Sequence, residues 1–180
     1  MIKYQITLDQ TQQGFTLLEL ITVVAMIAIL TAIAIPSYNS YMLSAQQSEA
    51  QSEALRVSAL LSAWKVRNLS YRNFDLKNQP QIKSSTTLTS NTIYLPIGAS
   101  ATEASYLLRV VDLDSKQALN ANIAGVTGRN FAIRLEANSA KPKLNNMLLS
   151  SIGQRCMSLN AVTNADFAAY TGCGTGATVW

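Results

Sequence analysis

Few residues in this sequence have side chains able to do chemistry, and their spacing limits what that chemistry is. Glu19 is the sole charge in the twenty-one-residue run FTLLELITVVAMIAILTAIAI, from Phe15 to Ile35. In lipid such a charge costs up to about 2.5 to 3.5 kcal/mol, less near a helix end, so a partner is expected for it. Asp112 and Asp114 stand two apart and could share one strand face, but two carboxylates are fewer than a calcium site wants. Cys156 and Cys173 are the only cysteines, with sixteen residues between them and no CxxC pattern. They would bridge in an oxidising compartment and would stay as two thiols in a reducing one, so a targeting segment decides between these. The chain has no histidine. That removes imidazole bases and histidine-dependent triads, and two cysteines cannot supply four thiolates to zinc. No serine-lysine motif is visible, so the residues point to no enzyme, no cofactor and no metal.

Composition supports a structural or binding role. A length of 180 residues gives one packed core with room for an appendage. Charged residues make up only 13% against 48% hydrophobic, about half the usual charged share. A long charged disordered chain is thereby excluded, and a membrane or assembly surface is favoured. The net charge of +4 is spread thinly, apart from Lys65, Arg67, Arg72, Lys77 and Lys83, which Asp75 interrupts. That group is either a solvated helix end and loop or a shallow nucleic-acid contact, and no dedicated nucleic-acid surface is visible.

The elements that must hold these residues are legible in the hydrophobic pattern. As a helix, Phe15 to Ile35 would be about 31 Å long, which matches a bilayer core. Three readings of it compete. A buried core helix would need a polar face, which is missing. A secretory signal has support in the small-x-small sequence Ala32-Ile33-Ala34, but Glu19 interrupts its apolar region and the leader MIKYQITLDQTQQG carries only Lys3, offset by Asp9. A helix retained in the mature protein is the third. Pro36 lacks a backbone N–H and its ring crowds the preceding turn, so a kink is expected there without the helix having to end. Beyond it Ala50, Ala54, Val57, Leu61 and Trp64 recur at steps of four and three, one stripe facing a core, with Trp64 read as packing.

The remainder reads as β-structure. Residues 69 to 100 are rich in Ser, Thr, Asn and Gln and read as an extended connection with a short strand at Thr92 to Leu95. Strands follow at Tyr106 to Leu113, Phe131 to Ala137, Asn146 to Ile152 and Arg155 to Leu159, with Gly125 and Gly128 supplying a turn. In the second of these, Phe131, Ile133 and Leu135 alternate with Ala132, Arg134 and Glu136, so one face is expected buried and the other wet. The fold class is α+β, a long N-terminal helix and an antiparallel sheet of about four strands.

The run Gly14-Phe15-Thr16-Leu17-Leu18-Glu19-Leu20, an apolar span, and then Ile35-Pro36-Ser37-Tyr38-Asn39-Ser40-Tyr41 resembles the N-terminus of type IV pilins of the N-methylphenylalanine class. The resemblance covers about the first forty-five residues. It implies that residues 1–14 are a leader cut after Gly14 by a prepilin peptidase, which methylates the new N-terminal Phe15. Residues 15–45 would be a transmembrane and assembly helix, and residues 46–180 an exported globular domain. Glu19 would meet the N-terminal amine of a neighbouring subunit, and the cysteines would staple a C-terminal loop to the sheet by a Cys156–Cys173 disulfide. The implied partners are other pilin subunits, the peptidase and the inner membrane of a Gram-negative bacterium, before passage into an extracellular pilus. The implied role is a structural subunit, more a minor than a major one, serving adhesion, twitching or DNA uptake. A type II secretion pseudopilin and a DNA-binding uptake pilin share this N-terminus. The family often has glycine eight residues before the proline, where this chain has Ala28, a strong helix former.

Overall fold

A single helix, α1, runs Leu17–Asn68 and continues through Pro36. It belongs to a computed structural model that describes residues 15–80, 82, 91–141, 143–163 and 165–180. The leader with Gly14, and Lys83, lie outside the described residues. Contacts divide the chain between Tyr41 and Met42. In the first unit every described side chain is exposed, including Leu17, Leu20, Val24, Ile27 and Ile35. This stretch is long and apolar enough to cross a membrane. Within it Ser40 Oγ donates to the Pro36 carbonyl at 3.0 Å, one of several hydroxyls turned back onto the helix.

In the second unit the C-terminal part of α1 buries Ala50, Ala54, Val57 and Leu61, the stripe expected from their spacing. Trp64 is half-buried, meets Phe74 edge to face at 5.8 Å and donates its Nε1 to the Arg72 carbonyl. The sheet has five antiparallel strands in chain order: β1 (Thr92–Leu95), β2 (Tyr106–Asp112), β3 (Phe131–Ala137), β4 (Asn146–Ser150) and β5 (Arg155–Ser158). A short helix, α2 (Ala165–Ala168), follows. One sheet face, with Ile93, Leu108, Val110, Ile133, Leu135 and Met147, shares a core with α1.

Two expectations need correction. The segment after α1 is more than an extended connection, because Tyr71, Phe74, Leu76 and Ile82 are all buried in that core. Asn91 pins it: buried and left-handed at φ 57°, it accepts from the Leu76 N–H at 2.8 Å and donates to the Phe74 carbonyl. Its side chain tolerates that backbone and satisfies the turn. The second face of β3 is also not simply wet. Ala132 is buried there with Val111, Leu148, Phe167 and Tyr170, since the C-terminal segment folds over this side.

The long β2–β3 connection is held by a buried carboxylate. Asp112 Oδ2 accepts from the Ser115 N–H and hydroxyl at 2.9 and 2.8 Å, and Oδ1 accepts from the Gly128 N–H at 2.9 Å and the Thr127 hydroxyl at 3.4 Å. Asp114 takes the same Thr127 hydroxyl at 2.5 Å. The two carboxylates therefore serve the loop. Burial alone would raise the Asp112 pKa, but the donated hydrogen bonds outweigh it and hold the carboxyl below its usual value. A depressed folded value means stability that is present above the unfolded pKa, about 3.9, and lost as pH falls through the folded one. Asp112→Asn, which turns an NH₂ toward N–H donors, should cost about 1–3 kcal/mol at pH 7. Urea midpoints of the two proteins should draw together as pH falls below the usual carboxylate range; a gap that stays constant with pH would remove the carboxylate charge from the account.

Candidate functional site

The head of α1 is built as a capped terminus. Thr16 lies just outside the helix, and its Oγ1 accepts the Glu19 N–H at 3.2 Å while its carbonyl accepts the Leu20 N–H at 3.2 Å. Thr16-Leu17-Leu18-Glu19 has the spacing of a capping box, so threonine satisfies one orphan donor and glutamate stands in the first turn. The sequence singles out Glu19 as a lone charge in an apolar run but not Thr16, although the Thr-x-x-Glu spacing carries the signal. Phe15, with which the mature chain is expected to begin, is 82% exposed. Among the described residues none donates a hydrogen bond to the Glu19 carboxylate. The site is thus an exposed carboxylate one turn into a helix whose flanks, Leu17, Leu18, Leu20 and Ile21, are apolar and exposed. That arrangement can pair with a cation only from outside this described segment.

At the other end of the chain Cys156 and Cys173 form the disulfide, with Cα atoms 5.8 Å apart. The bridge ties the stretch after β5 to the sheet and sets Phe167 and Tyr170 over the face that carries Arg134. Closing a loop of this length contributes about 3 kcal/mol by restricting the unfolded chain. Trp180 donates its Nε1 to the Cys156 carbonyl at 3.0 Å, and Met157 bridges Thr178, so the tail beyond Cys173 is anchored to β5 at Cys156 and Met157.

Of the basic group near the end of α1, Lys65 is tied to its own fold. Lys65 lies 4.6 Å over the Tyr71 ring and also reaches the Arg129 carbonyl, while Arg67, Arg72 and Lys77 are exposed. Lys65 is partly committed to packing, which weakens a stripe of phosphate contacts. Among the described residues no group of three or more Cys, Asp or Glu side chains is placed to hold a metal.

Residues 9–35 match the family described as the prokaryotic N-terminal methylation motif. The chain is 56% identical over 43 residues to a fimbrial protein, EcpC, of Eikenella corrodens, covering 24% of this chain and 28% of that protein. It is 57% identical over 42 residues to the type IV major fimbrial protein FimA of Dichelobacter nodosus, covering 23% and 27%. A fimbrial protein of Pseudomonas aeruginosa is 54% identical over 54 residues, covering 30% and 33%. The chain thus spans about a quarter to a third of the length of these relatives. No solved structure matches it. Over its N-terminal segment, then, the chain is similar to type IV fimbrial proteins: residues 9–35 carry the methylation motif and lead into the apolar head of α1, with Glu19 in its first turn.

Proposed function

We propose that this protein is a structural subunit of a type IV pilus. It would be held in the inner membrane by Phe15 to Ile35 as a precursor, cut after Gly14, methylated on Phe15 and packed by α1 among other subunits of an extracellular filament. One observation carries the reading: a methylation motif at residues 9–35 leads into an apolar stretch of α1 whose described side chains are all exposed. Such a surface needs lipid or other apolar helices to cover it. Glu19 then has a role that the exposed carboxylate supports. It pairs with the N-terminal amine of a neighbouring subunit, favoured at the positive end of the helix dipole. The proposal within this class is a minor subunit, on the run Arg155-Cys156-Met157-Ser158-Leu159 leading into the disulfide loop. Its copy number in purified pili, low against the main subunit, checks that part.

The processing step makes a direct test. Mature protein should begin at N-methylated Phe15, and Gly14→Trp should accumulate the uncut precursor in the membrane. Intact mass and N-terminal sequencing read both. A mature terminus at Ile35 instead would establish an ordinary signal peptide and overturn the reading.

A further inference from the structure

The C-terminal end of α1 carries a cost that its own fold does not return. Leu69, the residue after the helix, stands in the left-handed region at φ 59°, while its N–H closes the last turn on the Lys65 carbonyl at 2.7 Å. Glycine takes that position freely, and leucine takes it at a loss. Asn73 and Asn91 share this backbone, but asparagine tolerates it, and Asn91 uses its side chain to pin a turn. The Leu69 side chain is 88% exposed, so burial offsets little of the strain. Val66, three residues earlier, is 81% exposed. Two branched apolar side chains therefore stand in water at one helix end.

Cations surround them. Successive helical residues are turned by about 100°, so Lys65 and Arg67 flank Val66 on either side. The β2–β3 connection brings Arg129 to the same end, because the Tyr71 N–H donates to the Gly128 carbonyl at 2.8 Å and Lys65 reaches the Arg129 carbonyl. Arg72 lies there too, its carbonyl held by Trp64. Arg67, Arg72 and Arg129 are exposed, and among the described residues none of them has an ion pair. Across residues 65–78 and 112–129, six Lys and Arg stand against three Asp, a net +3. Those three, Asp75, Asp112 and Asp114, accept hydrogen bonds within their own turns.

We infer that this end of α1 docks on an anionic lipid bilayer, Val66 and Leu69 entering the boundary between headgroups and acyl chains while Arg67, Arg72 and Arg129 lie among the lipid phosphates. Both parts of the surface are then used. A bilayer takes up apolar side chains at its interface and attracts each Lys or Arg held near its surface. The three arginines come from two chain segments and no carboxylate fixes their geometry, which suits a fluid array of charges better than a fitted pocket. Nucleic acid would use the charge alone and leave Val66 and Leu69 in water. A second copy would bring the same positive face and be repelled by it. The inference does not rest on how the chain is processed or packed, since these residues lie in the second unit and not at the head of α1.

The test uses the full chain in phosphatidylcholine nanodiscs, a neutral host for its apolar stretch, mixed with acceptor vesicles and floated on a density gradient. Vesicles of phosphatidylcholine alone set the background. When a quarter of the acceptor lipid is phosphatidylglycerol, at low ionic strength, co-floating protein should rise at least fivefold above that background, and added salt should lower it. Arg67→Gln combined with Arg72→Gln should lower it at least threefold. Leu69→Gly is the sharper variant. Glycine accepts the left-handed backbone, so the urea midpoint should hold or rise, while co-flotation should fall at least twofold with every charge in place. A merely structural role for Leu69 predicts the opposite, a lower midpoint and unchanged co-flotation. Equal co-flotation with both kinds of vesicle, or a Leu69→Gly protein that co-floats as the unaltered chain does, would overturn the inference. Duplex DNA that displaces the protein from the vesicles and binds the Leu69→Gly protein equally well would overturn it too, giving the face to nucleic acid.

Discussion

Gly128→Ala should lower the unfolding free energy by about 2–5 kcal/mol, a large share of what a domain of this size has. Two separate costs combine. Gly128 sits at φ +62°, which a residue with a Cβ adopts at about 1–2 kcal/mol. The added carbon would also stand 2.4 Å from the Arg72 backbone nitrogen and 2.5 Å from Ser70 Oγ. Backbone cannot swing aside as a side-chain end can, so overpacking adds about 1–3 kcal/mol. The junction has more to lose, since the Gly128 carbonyl accepts from the Tyr71 N–H at 2.8 Å and its N–H donates to Asp112. Gly153→Ala is the control. It has φ +87° but nothing within 4 Å of the new carbon, so it should show the backbone cost alone, about 1–2 kcal/mol. Urea unfolding followed by tryptophan fluorescence compares the two, Trp64 reporting from beside Arg72. Equal losses would mean that the close approach of the two backbones carries no weight.

What the sequence could reveal followed from periodicity and its limits. Ala50, Ala54, Val57 and Leu61 lie on a strict helical stripe, and the structure buries all four. The strands were equally legible from β-branched and alternating runs, with Thr92–Leu95 making the fifth. The burial of Phe74, Leu76 and Ile82 was not, because isolated apolar residues in a polar segment have no period and only the tertiary fold supplies their neighbours. Ala132 was misplaced for a related reason. Alternation predicts a wet face, and the roof made by Phe167 and Tyr170 comes from a segment more than thirty residues away. At the head of α1 the glutamate was plain as a charge among apolar residues, whereas the cap on Thr16 needed the helix start to be placed within one residue. The arginine pair could not be read at all, since Arg109 and Arg134 meet only through strand register.

Glu19→Ala should separate assembly from membrane insertion. On the proposed reading of residues 1–14 as a leader, alanine lies more easily in lipid and favours helix, so insertion and a cut after Gly14 should proceed as readily as with glutamate. The Thr16 cap should survive as well, because it receives the backbone N–H of residue 19 and not its side chain. Under the proposed pairing, what changes is the fate of the neighbouring amine. Among packed apolar helices an ammonium that has lost its carboxylate is an uncompensated charge, a loss of about 3–5 kcal/mol when fully buried. Even half of that amounts to more than tenfold in incorporation, and the loss would recur at every position the variant occupies. The measurement is the ratio of this subunit in sheared pili to that in membranes, at matched expression, for the unaltered chain, Glu19→Ala and Glu19→Gln. Both variants should fall at least tenfold, because glutamine keeps the shape and the hydrogen-bond acceptor but not the charge. If glutamine assembles normally while alanine does not, hydrogen bonding and shape suffice. If both assemble normally, the carboxylate serves only to mark the first turn of α1, and the pairing with the neighbouring amine has to be given up while the capped apolar helix still stands as the assembly element.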